Sequence, residues 1–425
     1  MNFRLFLTRV VLFLGAMVGV FQTASTVSPQ EVKSPSRVFS FEWQPQGEFL
    51  LALGRQPDEQ WGLWLYNADL QPLRMFPLQD SSLARWSPDG TRISVDREII
   101  DARTFETVSH LDSAASSISD WSEDGSQVLA WLDVNHKKLG LFDAQSGNLL
   151  GQIPIQGTPE GVVWSPNDAY LLLIHPTGIR EIVSANDGHV ISTLDVNMGM
   201  EFSWSPDSQY IAGSMLTPVD AKTPGIIPYS LPPAIASVRV WDMSTGKTVQ
   251  NYSPLEDYFT VLRWHPYDSQ LVAGSPNGLI YAWDIKTGQS IKAFTIPETL
   301  IDIGFSPLGG RLTVSTFPIT TTQQSEVLAL QRQNFPQDSV WSRSYVGNLL
   351  KTVILDPSTE QLSNIQARCA PAEDFQIPLF ETLTVDTIQL TSYIDAVKAD
   401  ASIPKGCAAD LIAVAEALQA EQESR

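Results

Sequence analysis

The run Trp86-Ser87-Pro88-Asp89-Gly90 joins the aromatic end of one strand to a tight turn. Pro at the second turn position presets φ, Asp favours the next position, and Gly closes the turn. The arrangement recurs at Trp121-Ser122-Glu123-Asp124-Gly125, Trp164-Ser165-Pro166-Asn167-Asp168 and Trp204-Ser205-Pro206-Asp207-Ser208. Looser copies stand at Trp43-Gln44-Pro45-Gln46-Gly47, Trp264-His265-Pro266-Tyr267-Asp268 and Phe305-Ser306-Pro307-Leu308-Gly309. After each turn comes a short apolar segment, such as Tyr170-Leu171-Leu172-Leu173-Ile174. A strand apolar on both faces suits a sheet packed between two neighbours.

The seven anchors Trp43, Trp86, Trp121, Trp164, Trp204, Trp264 and Phe305 are spaced 43, 35, 43, 40, 60 and 41 residues apart. A period near 40 with four short strands per unit reads as a propeller blade. The expected fold is therefore all-β: a seven-bladed β-propeller of four-stranded blades. A third strand in each unit ends in an apolar residue and Asp before a Gly turn. Val240-Trp241-Asp242 with Thr245-Gly246 and Ala282-Trp283-Asp284 with Thr287-Gly288 are the best copies, and Leu141-Phe142-Asp143 with Ser146-Gly147 is close.

These residues resemble the WD-repeat family over roughly residues 38–367. The resemblance implies blades sewn into a ring and a role in recognition. The family's Gly-His pair is absent; His110 alone lies at a plausible distance from its anchor. Blades without that hydrogen-bonded network are expected to hold mainly by aromatic burial, at about 1.5–3 kcal/mol per buried side chain. The seven units run evenly along the chain, which allows the ring to close without a strand shared between its first and last blades.

Two units are longer than the rest. From anchor to third-strand Asp the sixth spans 20 residues, but the fifth spans 38 and the seventh 51. Both excesses fall between the second and third strands. The fifth, near 216–236, carries Pro218, Pro224, Pro228, Pro232 and Pro233 and reads as an extended loop. The seventh, near 317–350, has room for an extra hairpin. Long connections in a folded domain are more often functional than neutral. The sequence thus predicts two walls flanking a low sixth blade, with Tyr229, Trp341, Arg343 and Tyr345 as contact residues. Tyr, Trp and Arg dominate binding energy where interfaces have been mutated.

The ends of the chain read differently. Residues 1–25 resemble a secretory signal: Arg4 and Arg9, an apolar run Val10–Phe21, then Thr23-Ala24-Ser25 as a cleavage site. A linker at 26–37 would follow. The reading implies a secreted or periplasmic protein, or one held outside the membrane by an uncleaved segment, with no integral span in the mature chain. The formal charge of −20, near −22 without the signal, disfavours nucleic acid or an anionic membrane as partner. Residues 368–425 read as a helical extension. Ser392 looks like a helix cap, Leu390, Ile394 and Val397 share a face, and Pro404 and Gly406 precede a second helix bearing Cys407, Leu411 and Ala415. Cys369 and Cys407 are the only cysteines of the chain and, in an exported protein, are expected to pair.

Motifs of catalysis are missing. The five histidines show no metal-ligand spacing, and no G-x-S-x-G, Walker or zinc-protease motif occurs. Asp242 to Lys247 resembles half of a quinoprotein blade motif, but the Trp that completes it is replaced by Thr248-Val249-Gln250-Asn251-Tyr252. No cofactor, metal or catalytic residue is therefore expected. The sequence supports a monomeric scaffold for a protein or peptide partner. It leaves open a lactonase- or peptidase-like hydrolase with its site over the central channel, since such sites are assembled from scattered loops.

Overall fold

The structure, a computed structural model, describes residues 32–424 apart from 79–83, 113–114, 116, 133–137, 160, 195–198, 219–233, 256, 297, 318–341, 345–349 and 370–386. Met1–Lys33 and Ser34–Arg425 are separate units; the second carries the fold. Among the described residues it is a ring of seven four-stranded antiparallel sheets, followed by three helices. Blade 1 runs from β1 (Arg37–Trp43) to β4 (Pro72–Pro77), and blade 2 from β5 (Ala84–Trp86) to β8 (Thr107–His110). Blade 3 starts at β9 (Ser117–Trp121), blade 4 at β13 (Gly161–Trp164) and blade 5 at β17 (Gly199–Trp204). Blade 6 starts at β21 (Val261–Trp264) and blade 7 at β25 (Thr299–Phe305).

The turn chemistry is local and repeats. In blade 2 Ser87 Oγ donates to Asp89 Oδ1 at 2.6 Å, and the Arg92 N–H donates back to Ser87 Oγ at 2.9 Å. Blades 3, 4 and 5 repeat this with Ser122 and Asp124, Ser165 and Asn167, and Ser205 and Asp207. The last turn residue is left-handed: Gly90 at φ +65°, but also Asp168 at +57°. Asp and Asn tolerate that region better than most side chains. In blade 6 His265 takes the Ser position, its Nδ1 accepting the Asp268 N–H at 2.9 Å. The third-strand aspartates are turn caps as well: Asp143, Asp242 and Asp284 each accept backbone N–H groups three residues on.

Five of the six anchor tryptophans sew blade to blade; Trp164 instead donates its indole N–H to the Asp168 carbonyl of its own turn. The indole N–H of Trp86 donates to the Glu42 carbonyl, that of Trp204 to Val163 and that of Trp264 to Ser203. Each acceptor directly precedes the anchor of the previous blade. Trp121 and Trp43 instead reach Ser94 Oγ and Thr313 Oγ1 on second strands. The seams are thus hydrogen-bonded as well as apolar, more than burial alone supplies. His110 has no part in this: it faces Glu98 on an outer strand, half exposed.

All of blade 1 comes from residues 37–77 and all of blade 7 from 299–353, so no strand is shared. Blade 7 departs from the regular order. Its outermost strand is β27 (Ser342–Ser344), which precedes the third strand β28 (Leu350–Val353) and pairs with it, Ser342 opposite Val353. The insertion thus supplies the blade's fourth strand from before its third, and among the described residues it adds no extra hairpin to the four-stranded sheet. The chain after β28 enters helix α1 (Thr359–Cys369) instead. The propeller therefore stops well before residue 367. Asp356 lacks a following Gly turn; Ser358 caps the helix, its Oγ accepting the Gln361 N–H at 3.1 Å.

Helix α2 (Thr387–Ala399) begins five residues before Ser392, whose Oγ donates to the Ile388 carbonyl within the helix rather than capping it. Helix α3 (Lys405–Ser424) follows Pro404. Leu390, Ile394, Val397, Leu411 and Ala415 are buried together with Leu362 and Ile365 of α1. A disulfide joins Cys369 to Cys407 within that core. Among the described residues no helix is long and apolar enough to cross a membrane.

Candidate functional site

The first strand of each blade presents an edge to the central channel with no fifth strand to pair it. Its N–H groups need other acceptors. Carboxylates from the preceding blade supply three. Glu42 Oε2 accepts the Trp86 N–H at 3.2 Å, Asp120 Oδ2 that of Trp164 at 3.3 Å, and Asp302 Oδ2 that of Phe41 at 3.2 Å. Bulges just before Glu201 and Asp302 re-aim these side chains. Arg263 donates to both, at 3.2 Å and 2.9 Å. Arg85 lies 3.9 Å from Glu42.

Confinement in the channel sets the electrostatics. Burial pushes the Glu42 carboxyl up to about 7, with Arg85 and the Trp86 N–H opposing. Burial likewise raises Asp120, Glu201 and Asp302 against the pull of Arg85 or Arg263. For Arg263 burial acts to lower the value, but Asp302 and Glu201 outweigh it and hold the guanidinium charged. The Glu42 side chain keeps 33 % of its surface open to the channel, so its contribution is softened by channel water. Because its folded value lies above the unfolded one, the stability tied to its protonation is full at low pH and is lost as pH rises through about 7. Glu42→Gln keeps the acceptor for Trp86 and removes the charge. It is expected to gain about 1 kcal/mol over wild type at pH 8 and close to nothing at pH 4, below the unfolded value of the carboxyl. Denaturant melts of both proteins at the two pH values check this; equal differences at both would refute the assignment.

The channel encloses about 660 Å³, lined by Glu42, Arg85, Glu201, Arg263 and the rings of Trp164 and Trp204 among others. A second cavity of about 440 Å³ opens at the seam of blades 5 and 6, between Tyr210, Val249, Trp264, Tyr267 and Ile285. It lies on the face of the anchor turns, where the Arg368 guanidinium of α1 stacks 4.4 Å from the ring of Tyr267. Among the described residues no three His, Cys, Asp or Glu side chains are grouped to hold a metal ion.

The opposite face carries the connections between second and third strands. In blades 4 and 6 those strands pair over five residues each. In blade 5, β18 (Tyr210–Pro218) and β19 (Ala234–Asp242) pair over nine, from Tyr210 opposite Asp242 to Pro218 opposite Ala234. Four extra residues raise the hairpin by about 13 Å. The margins of the segment expected to be loop are therefore strand, since Pro218 ends its strand where no further ladder donor is required. β20 (Lys247–Leu255) continues alongside, with Leu255 opposite Ala236. Ile235 on the raised part is 42 % exposed. Blade 6 next to it closes with the short turn Ser275-Pro276-Asn277-Gly278, the Gly278 N–H donating to the Ser275 carbonyl at 3.0 Å.

Of the residues singled out from sequence, Arg343 stands in β27, its backbone opposite Thr352. Tyr229, Trp341 and Tyr345 lie outside the described residues. Sequence reasoning missed the channel charges. Their signal was a charged residue directly before an anchor, in Glu42, Arg85, Asp120 and Arg263, or three before it, in Glu201 and Asp302.

No protein-family model matches this chain. No curated protein matches it either. Among solved structures it resembles a chain in the crystal structure of the mitotic checkpoint complex, with a TM-score of 0.51 and 14% sequence identity. The match covers 68% of this chain and 86% of that one. The likeness is one of fold.

Proposed function

We propose that this protein is an exported, WD-repeat-like propeller that binds a protein or an extended peptide. The raised hairpin of blade 5 beside the low blade 6 carries this reading. A wall next to a step forms a channel for a chain laid across the disc, and the exposed hairpin offers apolar surface at its rim. Tyr229 on the fifth-blade insertion and Trp341, Arg343 and Tyr345 on the seventh are the proposed contacts. A checkpoint-complex chain with a similar fold is itself part of a protein assembly, which is consistent with this use of the architecture.

The test is capture of partners from the native compartment by three full-length forms. One is wild type. In the second, residues 217–235 are replaced by Asn-Gly, which suits a two-residue hairpin from Leu216 to Ala236. The third carries Trp341→Ala, Arg343→Ala and Tyr345→Ala, which removes the proposed seventh-blade contacts and keeps the backbone of β27, the outer strand of blade 7. Both variants are first shown to melt cooperatively. Loss of at least tenfold in affinity for the captured partner in either variant supports the site, and unchanged affinity in both overturns it.

A second reading, hydrolysis within the channel, draws on Glu42, whose carboxyl titrates near neutrality beside a 660 Å³ cavity. Turnover of an ester or peptide by wild type, abolished in Glu42→Gln, would favour it over binding.

A further inference from the structure

The seventh turn, Ser306-Pro307-Leu308-Gly309, has Leu where blades 2, 3 and 5 have Asp. In those blades one carboxylate oxygen does two things. Asp89 Oδ1 accepts Ser87 Oγ at 2.6 Å and the Thr91 N–H at 3.1 Å. Asp124 and Asp207 accept the equivalent pairs, with the N–H coming from Ser126 and Gln209. In blade 7 the same two donors are satisfied from elsewhere. Asp410 Oδ2, on helix α3, accepts Ser306 Oγ at 2.5 Å and the Gly310 N–H at 3.0 Å. Gly310 stands five residues after its anchor, as Thr91 does after Trp86. A side chain some hundred residues distant thus occupies the place of the missing turn carboxylate.

The other oxygen of Asp410 binds Arg311 Nε at 2.5 Å. Arg311 is the counterpart of Arg92. Arg92 reaches the Gly125 carbonyl of the next blade and lies over the Trp121 ring. Arg311 reaches the Ala68 carbonyl of blade 1 and lies over the Trp43 ring. The same helix meets blade 1 at its first turn, where Gly406 packs on Gly47 so closely that a Cβ there would sit 2.4 Å from the Gln46 carbonyl oxygen. Helix α3 therefore touches both sides of the seam at which the ring closes. Cys407, between Gly406 and Asp410, is bound to Cys369 at the end of α1.

We propose that α3 is the clasp of the ring, supplying in trans the carboxylate that the seventh turn lacks, and that the Cys369–Cys407 bond makes this closure redox-dependent. A dithiol reductant passes two electrons and two protons to the Sγ–Sγ bond, which opens to two thiols while the dithiol closes to its own disulfide. Cys369 is 9 % exposed and Cys407 2 %, so the thiolate attacks from the Cys369 side. With the bond gone, no covalent cross-link holds α3 to α1 across the 38-residue separation. Opening of the seam becomes a local event and no longer awaits global unfolding.

The experiment is amide hydrogen exchange on the full chain, oxidised and after reduction with excess dithiothreitol. The expected result is loss of protection at residues 306–311 and 43–47, on the order of several hundred-fold, the chain-entropy worth of a loop of that length. The turn at 122–127 in blade 3 is the internal control and should keep its protection. Unchanged exchange at 306–311, or equal loss in every blade, overturns the proposal. The paired substitution Leu308→Asp with Asp410→Leu moves the carboxylate into the turn itself. That protein should keep its seventh turn protected in either redox state. Equal sensitivity to reduction would show that Asp410 is not the link, and the proposal would fall.

Discussion

Replacing Asp410 by alanine is expected to lower the free energy of unfolding by about 3–5 kcal/mol, among the largest effects of any single change in the chain. The carboxylate is 1 % exposed and its partner Arg311 2 %. Removing it leaves a guanidinium buried without its counter-charge and strips Ser306 Oγ and the Gly310 N–H of their acceptor. An uncompensated buried charge is the costly part. Asp410→Asn preserves one acceptor oxygen and should fall between wild type and alanine. Arg311→Met with Asp410→Leu, which removes both charges, should recover much of the loss, because the desolvation of the pair is then avoided. Urea unfolding of the four proteins at one pH measures the series. A deficit for Asp410→Ala below about 1 kcal/mol would mean that the pair is solvated in a way these contacts do not describe.

Trp264→Ala should cost about 3–5 kcal/mol, at the seam of blades 5 and 6. The side chain is 8 % exposed, lies in the core with Leu262, Leu271 and Trp283, and stacks on Tyr210 with ring centroids 6.3 Å apart. Its N–H bond to the Ser203 carbonyl is lost as well. Trp264→Phe keeps a ring and loses that bond, so about 1–2 kcal/mol is expected. Phe305 already serves as an anchor in blade 7, packed edge-on against His265 at 4.9 Å, which shows that the position accepts a smaller ring in this fold. Chemical denaturation of both variants gives the ordering. If the phenylalanine variant were as unstable as the alanine one, the hydrogen bond and not the packing would be the main contribution.

What could be read from the chain alone was whatever depends on near neighbours in sequence. The turn Ser-Pro-Asp-Gly closes on itself within five residues, and the third-strand Asp caps N–H groups two or three residues on. Such chemistry needs no knowledge of the rest of the molecule, so seven copies at a period near 40 were sufficient for a seven-bladed ring. The lengths of the connections were equally visible, and with them the low sixth blade between two long insertions. Tertiary structure decided everything that crosses a seam. Glu42 and Asp302 read as ordinary strand-end charges until the inner edge of a neighbouring strand is brought 3.2 Å away with donors that need acceptors. The helix at Thr359–Cys369 was missed because the third-strand Asp356 suggested one more blade turn, whereas Pro357 and Ser358 start a helix instead. Asp410 carries no local mark of its role. Its meaning lies in Leu308, a missing carboxylate 102 positions earlier, and only the ring, by carrying α3 back over the place where blade 7 meets blade 1, sets one against the other. Local turn energies are encoded residue by residue, while the charge compensation of a buried site depends on which distant groups the fold removes from water together.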